Sequence, residues 1–396
     1  MPTTPTQLTL TAQCLCKAHT FSVTIPTTDL PLTASCCHCT SCRRSSGALF
    51  TCDVDWPGDA ADIRASSLER YRFSEGTDIL FCGQCGRAVF YEQKKGKGQG
   101  EETTPANKVH GVFTDALHLT LTPPTDTIPI LKHEALQITE HIFVGDTLDG
   151  GATSFLSGPS VRIWFGRREV SQEIMSPYRW ARSAPASRLG CDRVSIRCHC
   201  KGVDLVLEVR DALRICGGEA KEALALGSSK AKNDKLKGIA DGGNSCGLDV
   251  MPWVITPLQY ISFGKVGEGE AEFPRTASAL RYAVDRKCPG MGTLCCYVAP
   301  SGARRYFCGR CSAAVFLAED EEETVKLAVG LLDSPDGALA RGIVSWDFEG
   351  FVVIRARMVG LRSRAFDSSP SECHQWRLCG IQSGKGSSRE RSYQTA

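Results

Sequence analysis

The chain has 396 residues, 42% of them hydrophobic, which is enough for two ordinary domains or one large one with a buried core. Basic and acidic side chains nearly balance at a net charge of +2, which excludes a global pull toward nucleic acid or anionic membrane. The unusual number is 21 cysteines. Disulfide scaffolds are usually small and follow a secretory leader. Here the first ten residues are rich in Thr and Pro, with no basic start and no apolar stretch. No run of about 18 apolar residues is present to span a bilayer. The sequence therefore predicts a reducing compartment, the cytoplasm with the nucleus not excluded, where thiols stay available to zinc.

The features occur in the same order twice, as in a duplication. Cys14-Leu15-Cys16 opens the first set, followed by the strand-like alternation Phe21-Ser22-Val23-Thr24-Ile25. Next come Cys37-His38-Cys39-Thr40-Ser41-Cys42 and Arg43-Arg44-Ser45-Ser46-Gly47. Leu68-Glu69-Arg70-Tyr71, Phe81-Cys82-Gly83-Gln84-Cys85, Ala88-Val89-Phe90 and Gly111-Val112 complete the set. Further strands are expected at 118–121 and 161–165. Residues 166–190, rich in Arg, Ser and Pro, are expected to be a linker.

The second set opens with Cys198-His199-Cys200 and the alternation at 203–209. An insertion is expected at 212–243, partly helical near 221–226. Leu280-Arg281-Tyr282, Phe307-Cys308-Gly309-Arg310-Cys311, Ala314-Val315-Phe316 and Gly330-Leu331 hold the later places. A strand at 351–357 precedes a polar tail, 361–396, expected to be disordered. Short strands dominate, so the fold class is mainly β. The domains are expected at 8–165 and 191–360.

Cys14, Cys16, Cys82 and Cys85 form two close pairs. Residues two apart on a strand face the same way, and a glycine-bearing CxxC turn lets two thiolates converge. Together they predict a closed four-thiolate zinc site, the structural type. Such an ion supplies about 10–16 kcal/mol of apparent binding energy, which rivals a domain's net stability of about 5–15 kcal/mol. Cys198, Cys200, Cys308 and Cys311 predict a second site of this kind, with His199 as a non-ligand. Cys37, Cys39 and Cys42 predict a zinc with an open fourth position, which distinguishes a reactive ion from a structural one. Closure by Cys36, Cys52 or His38 is the competing reading. Arg43 and Arg44 are candidates for holding a substrate carboxylate.

The order CxC, then CHCxxCR with a nearby Ser-Gly, then FCxxCG resembles the glutathione-dependent formaldehyde-activating enzyme family, which also includes centromere protein V. The segment His141-Ile142-Phe143-Val144-Gly145-Asp146-Thr147 is similar to an element near the end of such domains. The resemblance covers about residues 8–160 well and about 190–350 more loosely. It implies two tandem zinc-stapled β-tent domains. By position, Cys14, Cys16, Cys82 and Cys85 match the family's structural zinc, and Cys37, Cys39 and Cys42 its catalytic zinc. The implied activity is that of a carbon–sulfur lyase joining glutathione to formaldehyde, or the reverse. The second set departs from the pattern. It reads Asp241-Gly242-Gly243-Asn244-Ser245-Cys246 where CHCxxC should fall, while Cys288, Cys295 and Cys296 lie in an apparent insertion. The second domain is thus expected to be degenerate.

The sequence therefore predicts a zinc enzyme acting on a small thiol and a small aldehyde. Here Cys37, Cys39 and Cys42 hold the reactive ion, Arg43 or Arg44 anchors the substrate anion, and His38 is a candidate proton donor with a structural role as its rival. The alternative is a non-catalytic zinc-stapled binding or scaffolding protein. Arg355, Arg357, Arg362 and Arg364 lack a stacking-aromatic array, which argues against nucleic acid.

Overall fold

The computed structural model describes residues 7–94, 108–122, 135–156, 158, 160–175, 192–210, 212, 235–241, 251–264, 272–319 and 322–347. Most of the expected linker, most of the expected insertion, Cys246, the 351–357 strand and the tail lie outside these residues. The chain is mainly β. No helix among the described residues is long and apolar enough to cross a membrane.

Period-two alternation builds the first strands. In β1 (Gln7–Gln13), Leu8, Leu10 and Ala12 are buried, while Thr9, Thr11 and Gln13 face Thr24, Ser22 and Thr20 of β2 (Thr20–Pro26) through side-chain hydrogen bonds. Further along run β3 (Leu32–Cys37), β4 (Thr51–Asp55), β5 (Glu69–Ser74), β6 (Thr77–Phe81), β7 (Ala88–Lys94), β8 (Lys108–Phe113), β9 (Leu117–Thr122), β10 (Leu136–Ile142) and β11 (Arg162–Ile163). A small sheet has the order β2-β1-β9, and an eight-stranded sheet the order β11-β10-β3-β4-β8-β7-β6-β5. Short helices interrupt the strands, among them α1 (Thr40–Ser46), α2 (Ala60–Ala65) and α3 (Thr153–Leu156).

The second half contains β12 (Arg193–Arg197), β13 (Asp204–Glu208), β14 (Leu236–Asp241), β15 (Met251–Pro257), β16 (Ile261–Phe263), β17 (Leu294–Val298), β18 (Arg304–Cys308), β19 (Ala314–Ala318), β20 (Thr324–Ala328) and β21 (Val344–Trp346). Its large sheet runs β21-β14-β15-β20-β19-β18-β17. This is the order of the first large sheet from β10 to β5, strand for strand, and β14–β21 is a parallel pair like β3–β10. The small sheets differ. β1 is central in the first, while β13 is central in β12-β13-β16, and β16 follows β15 directly.

The strands and their register correct four sequence expectations. Tyr71 pairs with Ile79 and Tyr297 with Arg305, two residues before Phe81 and Phe307, so Tyr71 corresponds to Tyr297. Leu280-Arg281-Tyr282 is instead helical, within Ala277–Asp285, because Ala277, Leu280, Ala283 and Val284 form one buried helical stripe capped by Thr276. Cys295 and Cys296 lie on β17, the counterpart of β5, and not in an insertion. Residues 236–241, expected in the 212–243 insertion, form β14 inside the sheet. Gly330-Leu331 does not correspond to Gly111-Val112. Val112 pairs with Phe90, and Leu327 holds that place opposite Phe316.

The first ten residues of the expected linker, 166–175, fold back on β11, with Trp164 bridged to Glu173 and the Phe165 N–H donated to the Gln172 carbonyl. The halves share one hydrophobic core. Their backbones also touch. Gly330 donates to the Gly47 carbonyl at 2.8 Å, and Asp149 accepts from the N–H groups of Ala338 and Leu339 at 3.2 and 2.8 Å.

Candidate metal centres

Each CxC pair sits in the turn just past a strand, and not on the strand as the spacing suggested. After β1, Lys17 adopts φ 62° and donates its N–H to the Cys14 carbonyl; after β12, Lys201 adopts φ 58° and donates to Cys198. This tight turn brings Cys14 and Cys16 to 3.5 Å between sulfurs, and Cys198 and Cys200 to the same 3.5 Å. The CxxC turns are built alike. Gly86 (φ 72°) donates to the Cys82 carbonyl at 2.8 Å and Ser312 (φ 65°) to Cys308 at 2.9 Å. Ser312 holds without glycine's freedom the left-handed backbone that Gly86 adopts easily.

The four sulfurs of Cys14, Cys16, Cys82 and Cys85 lie within 4.8 Å of one another, as do those of Cys198, Cys200, Cys308 and Cys311. Cys16 is 3.6 Å from Cys82 and Cys200 is 3.4 Å from Cys308. A tetrahedron with zinc–sulfur bonds of about 2.3 Å has edges of about 3.8 Å, whereas a disulfide bond is about 2.05 Å long. Both sets therefore have the donor chemistry and spacing of a four-thiolate zinc site and are free thiols. His199 is in neither group.

The third group is Cys37, Cys39 and Cys42, whose sulfurs also lie within 4.8 Å of one another. β3 continues its alternation through this segment. Ala34, Cys36 and His38 turn into the core, and Cys37 and Cys39 turn outward. Cys39 then caps α1, its sulfur accepting the Cys42 N–H at 3.2 Å, and the first helical turn returns Cys42 to the cluster. Hydrogen bonds from Cys37 and Cys42 hold the Cys39 thiol down to about 3, while its bonds to Cys39 and Cys42 push Cys37 up.

Among the described residues, no fourth His, Cys, Asp or Glu joins this group. The three proposed closers point elsewhere. Cys36 faces Cys52 across the β3–β4 ladder, both buried. His38 is fully buried, stacked on Phe50 with centroids 5.3 Å apart, and its Nε2 is 2.9 Å from His141 Nδ1. Burial and the neighbouring His141 hold its pKa well below the ordinary value, so it is neutral. This leaves His38 the structural role and not that of proton donor to an outward-facing substrate.

Arg43 turns inward. It is 7% exposed, and its guanidinium donates to the carbonyls of His38 (3.2 Å) and Asp146 (3.1 Å) and to Thr40 Oγ1 (3.1 Å). It fixes the thiol loop and has little left for a substrate. Arg44 is half-buried and pairs with Asp333 of the second half at 3.0 Å. The sequence reading missed Asp146, whose carboxylate accepts the Thr40 N–H at 3.1 Å, and Thr51, which hydrogen-bonds Cys42. It also missed Asp333. Asp146 lies 106 residues from Thr40 and Asp333 in the other half, so no local pattern announces either.

On the inner side of α1, between the halves, is a cavity of about 90 Å³ lined by Ser46, Thr51 and Cys85 with Met251, Arg305 and Phe307. At the position that register assigns to Cys37, the second half carries Asp241, and its counterpart of Cys42 is Cys246, outside the described residues.

Comparison with known proteins gives one family match. The family described as glutathione-dependent formaldehyde-activating enzyme matches residues 9–110, a span that includes Cys14, Cys16, Cys37, Cys39, Cys42, Cys82 and Cys85. No curated protein and no solved structure matches the chain.

Proposed function

We propose that this chain is a zinc-dependent enzyme of the carbon–sulfur lyase type, joining a small thiol such as glutathione to a small aldehyde such as formaldehyde, or reversing that addition. One observation carries the reading. Three thiols converge at Cys37, Cys39 and Cys42 with no fourth side-chain ligand among the described residues, inside the span matched by the formaldehyde-activating family. The structural ions would be held by Cys14, Cys16, Cys82 and Cys85 and by Cys198, Cys200, Cys308 and Cys311. The reactive one would be held by Cys37, Cys39 and Cys42. Zinc held by Cys37, Cys39 and Cys42 would favour the thiolate form of a substrate thiol and so supply the nucleophile.

The protein's own residues do the rest. The Cys42 N–H and Thr51 hydroxyl orient the thiol cluster, and Arg43 locks the loop that carries it. Arg44 is the cation available to a substrate carboxylate. In the forward reaction the thiol sulfur bonds to the carbonyl carbon, the carbonyl π bond opens, and the thiol's proton ends on the oxygen.

The matching strand order of the two large sheets supports the duplication reading, with domains at 8–165 and 191–360 and a second copy that keeps its structural thiols but has lost the reactive cluster. Thiol-dependent consumption of aldehyde tests the proposal. Wild type should exceed the uncatalysed rate and Cys39→Ala should not. If both match background, the enzyme reading is lost and the zinc-stapled scaffold stands in its place.

A further inference from the structure

The thiol-poor half does more than brace its neighbour. His199, in the turn between Cys198 and Cys200, donates its backbone N–H to the Arg44 carbonyl at 3.0 Å, which seats this turn against α1. Its ring is stacked on Phe73 of β5, with centroids 4.7 Å apart and planes 22° from parallel. Its Nδ1 is 2.6 Å from the hydroxyl oxygen of Tyr71, also on β5. The first half therefore fixes the imidazole from two sides, in a turn seated on Arg44, two residues after Cys42. With Tyr71 donating to Nδ1, Nε2 carries the ring hydrogen and is a donor. On the same rim, Asp333 holds the Arg44 guanidinium.

The opposite end differs in the telling place. The counterpart of His199, between Cys14 and Cys16, is Leu15, and the segment corresponding to Cys37 begins with Asp241. A hydrogen-bonding residue is thus presented where the three thiols are, and an apolar one where they are not. We propose that the second half supplies one wall of the Cys37/Cys39/Cys42 site. His199 binds a carboxylate of an anionic thiol substrate, with Tyr71 and Asp333 as positioning residues that orient His199 and Arg44. This rests on the thiol-binding reading above and names the part of the substrate that is recognised.

The test uses the full-length, cobalt(II)-substituted chain, whose thiolate-to-cobalt absorption reports a thiol entering the site. Glutathione and the uncharged thiol mercaptoethanol are titrated into wild type, His199→Leu, Asp333→Asn and Tyr71→Phe. The expected result is an unchanged resting spectrum and cobalt content, with half-saturation by glutathione raised at least about fivefold in each variant. Mercaptoethanol binding should not change. If glutathione binding is unchanged, or both thiols weaken equally, the proposed wall is refuted while the enzyme reading stands. If neither thiol alters the wild-type spectrum, both fall. Should His199→Leu lose its cobalt, the half-exposed Asp333→Asn and Tyr71→Phe variants decide between the same outcomes.

Discussion

Replacing Asp149 by alanine removes a carboxylate that is 8% exposed and joins the halves. Its Oδ1 accepts the N–H groups of Gly151 (2.9 Å) and Ala338 (3.2 Å), and its Oδ2 that of Leu339 (2.8 Å). Ala338 keeps a second acceptor in the Thr147 carbonyl at 2.9 Å, so the hydrogen bonds lost outright are those the carboxylate makes to Gly151 and Leu339. At about 1–3 kcal/mol each, the gross loss is about 2–6 kcal/mol. Burial already penalises this carboxylate, pushing its pKa up, and removing it recovers part of that cost. The net expectation is about 2–4 kcal/mol. Asp149→Asn keeps one oxygen but turns an amide N–H toward the Leu339 donor, and should cost about 1–2 kcal/mol. Urea unfolding of the zinc-loaded chain measures this, followed by tryptophan fluorescence and far-ultraviolet circular dichroism. Because the halves share a core, both signals should move together. A loss under about 1 kcal/mol for alanine, or two separated transitions, would refute the reasoning.

The zinc-loaded chain should carry two tightly held ions and one that a chelator removes first. Cys311→Ser should abolish one tight ion and lower the unfolding midpoint of the entire chain, and a further tight ion bound through Cys246 would contradict the assignment. Asp53, beside the Tyr91 hydroxyl at 3.0 Å, is held by burial up to about 7, against an ordinary 3.8. The folded state therefore binds this proton more tightly than the unfolded state, and stability falls as pH rises from about 4 to about 7. Asp53→Asn should flatten that decline, by at most about 4 kcal/mol, in urea midpoints measured across this range; an unchanged slope would count against it. Gly330→Ala places a methyl 2.1 Å from the Ala48 carbonyl oxygen and should cost about 1–3 kcal/mol in thermal or urea unfolding.

The thiol groups were legible because their chemistry is local. Two residues in a turn, or three around a helix cap, must be neighbours in sequence to share an ion, and the CxC and CxxC pairs are. The strands were legible where one face is buried, as in β1 with Leu8, Leu10 and Ala12. The alignment of Asp241 with Cys37 also agrees with the register. What misled was the echo of Leu68-Glu69-Arg70-Tyr71 in Leu280-Arg281-Tyr282. A short motif carries no period, and the buried spacing Ala277, Leu280, Ala283, Val284 around it is helical. Arg43 and Arg44 could not be told apart in sequence because an arginine beside thiolates has the same chemistry whether it faces a substrate or the carbonyls of its own loop. Only the fold distinguishes these, and it sends Arg43 inward and Arg44 outward.

Gly47, at φ 83°, would place a methyl 2.4 Å from the Ala314 carbonyl oxygen, and Gly330 would meet the carbonyl oxygen of Ala48. Main chain thus lies on main chain at the end of the helix that carries Cys42. A contact between long side chains yields by changing rotamers, whereas one between peptide groups has no such compliance. The two halves are therefore poorly suited to a hinge, and the thiols must be reached from the outer rim without parting the seam. The same stiffness makes the thiol-poor half a mould for its partner: cut away, it would leave α1 with an unsupported end and the Cys37 cluster without the surface that shapes it.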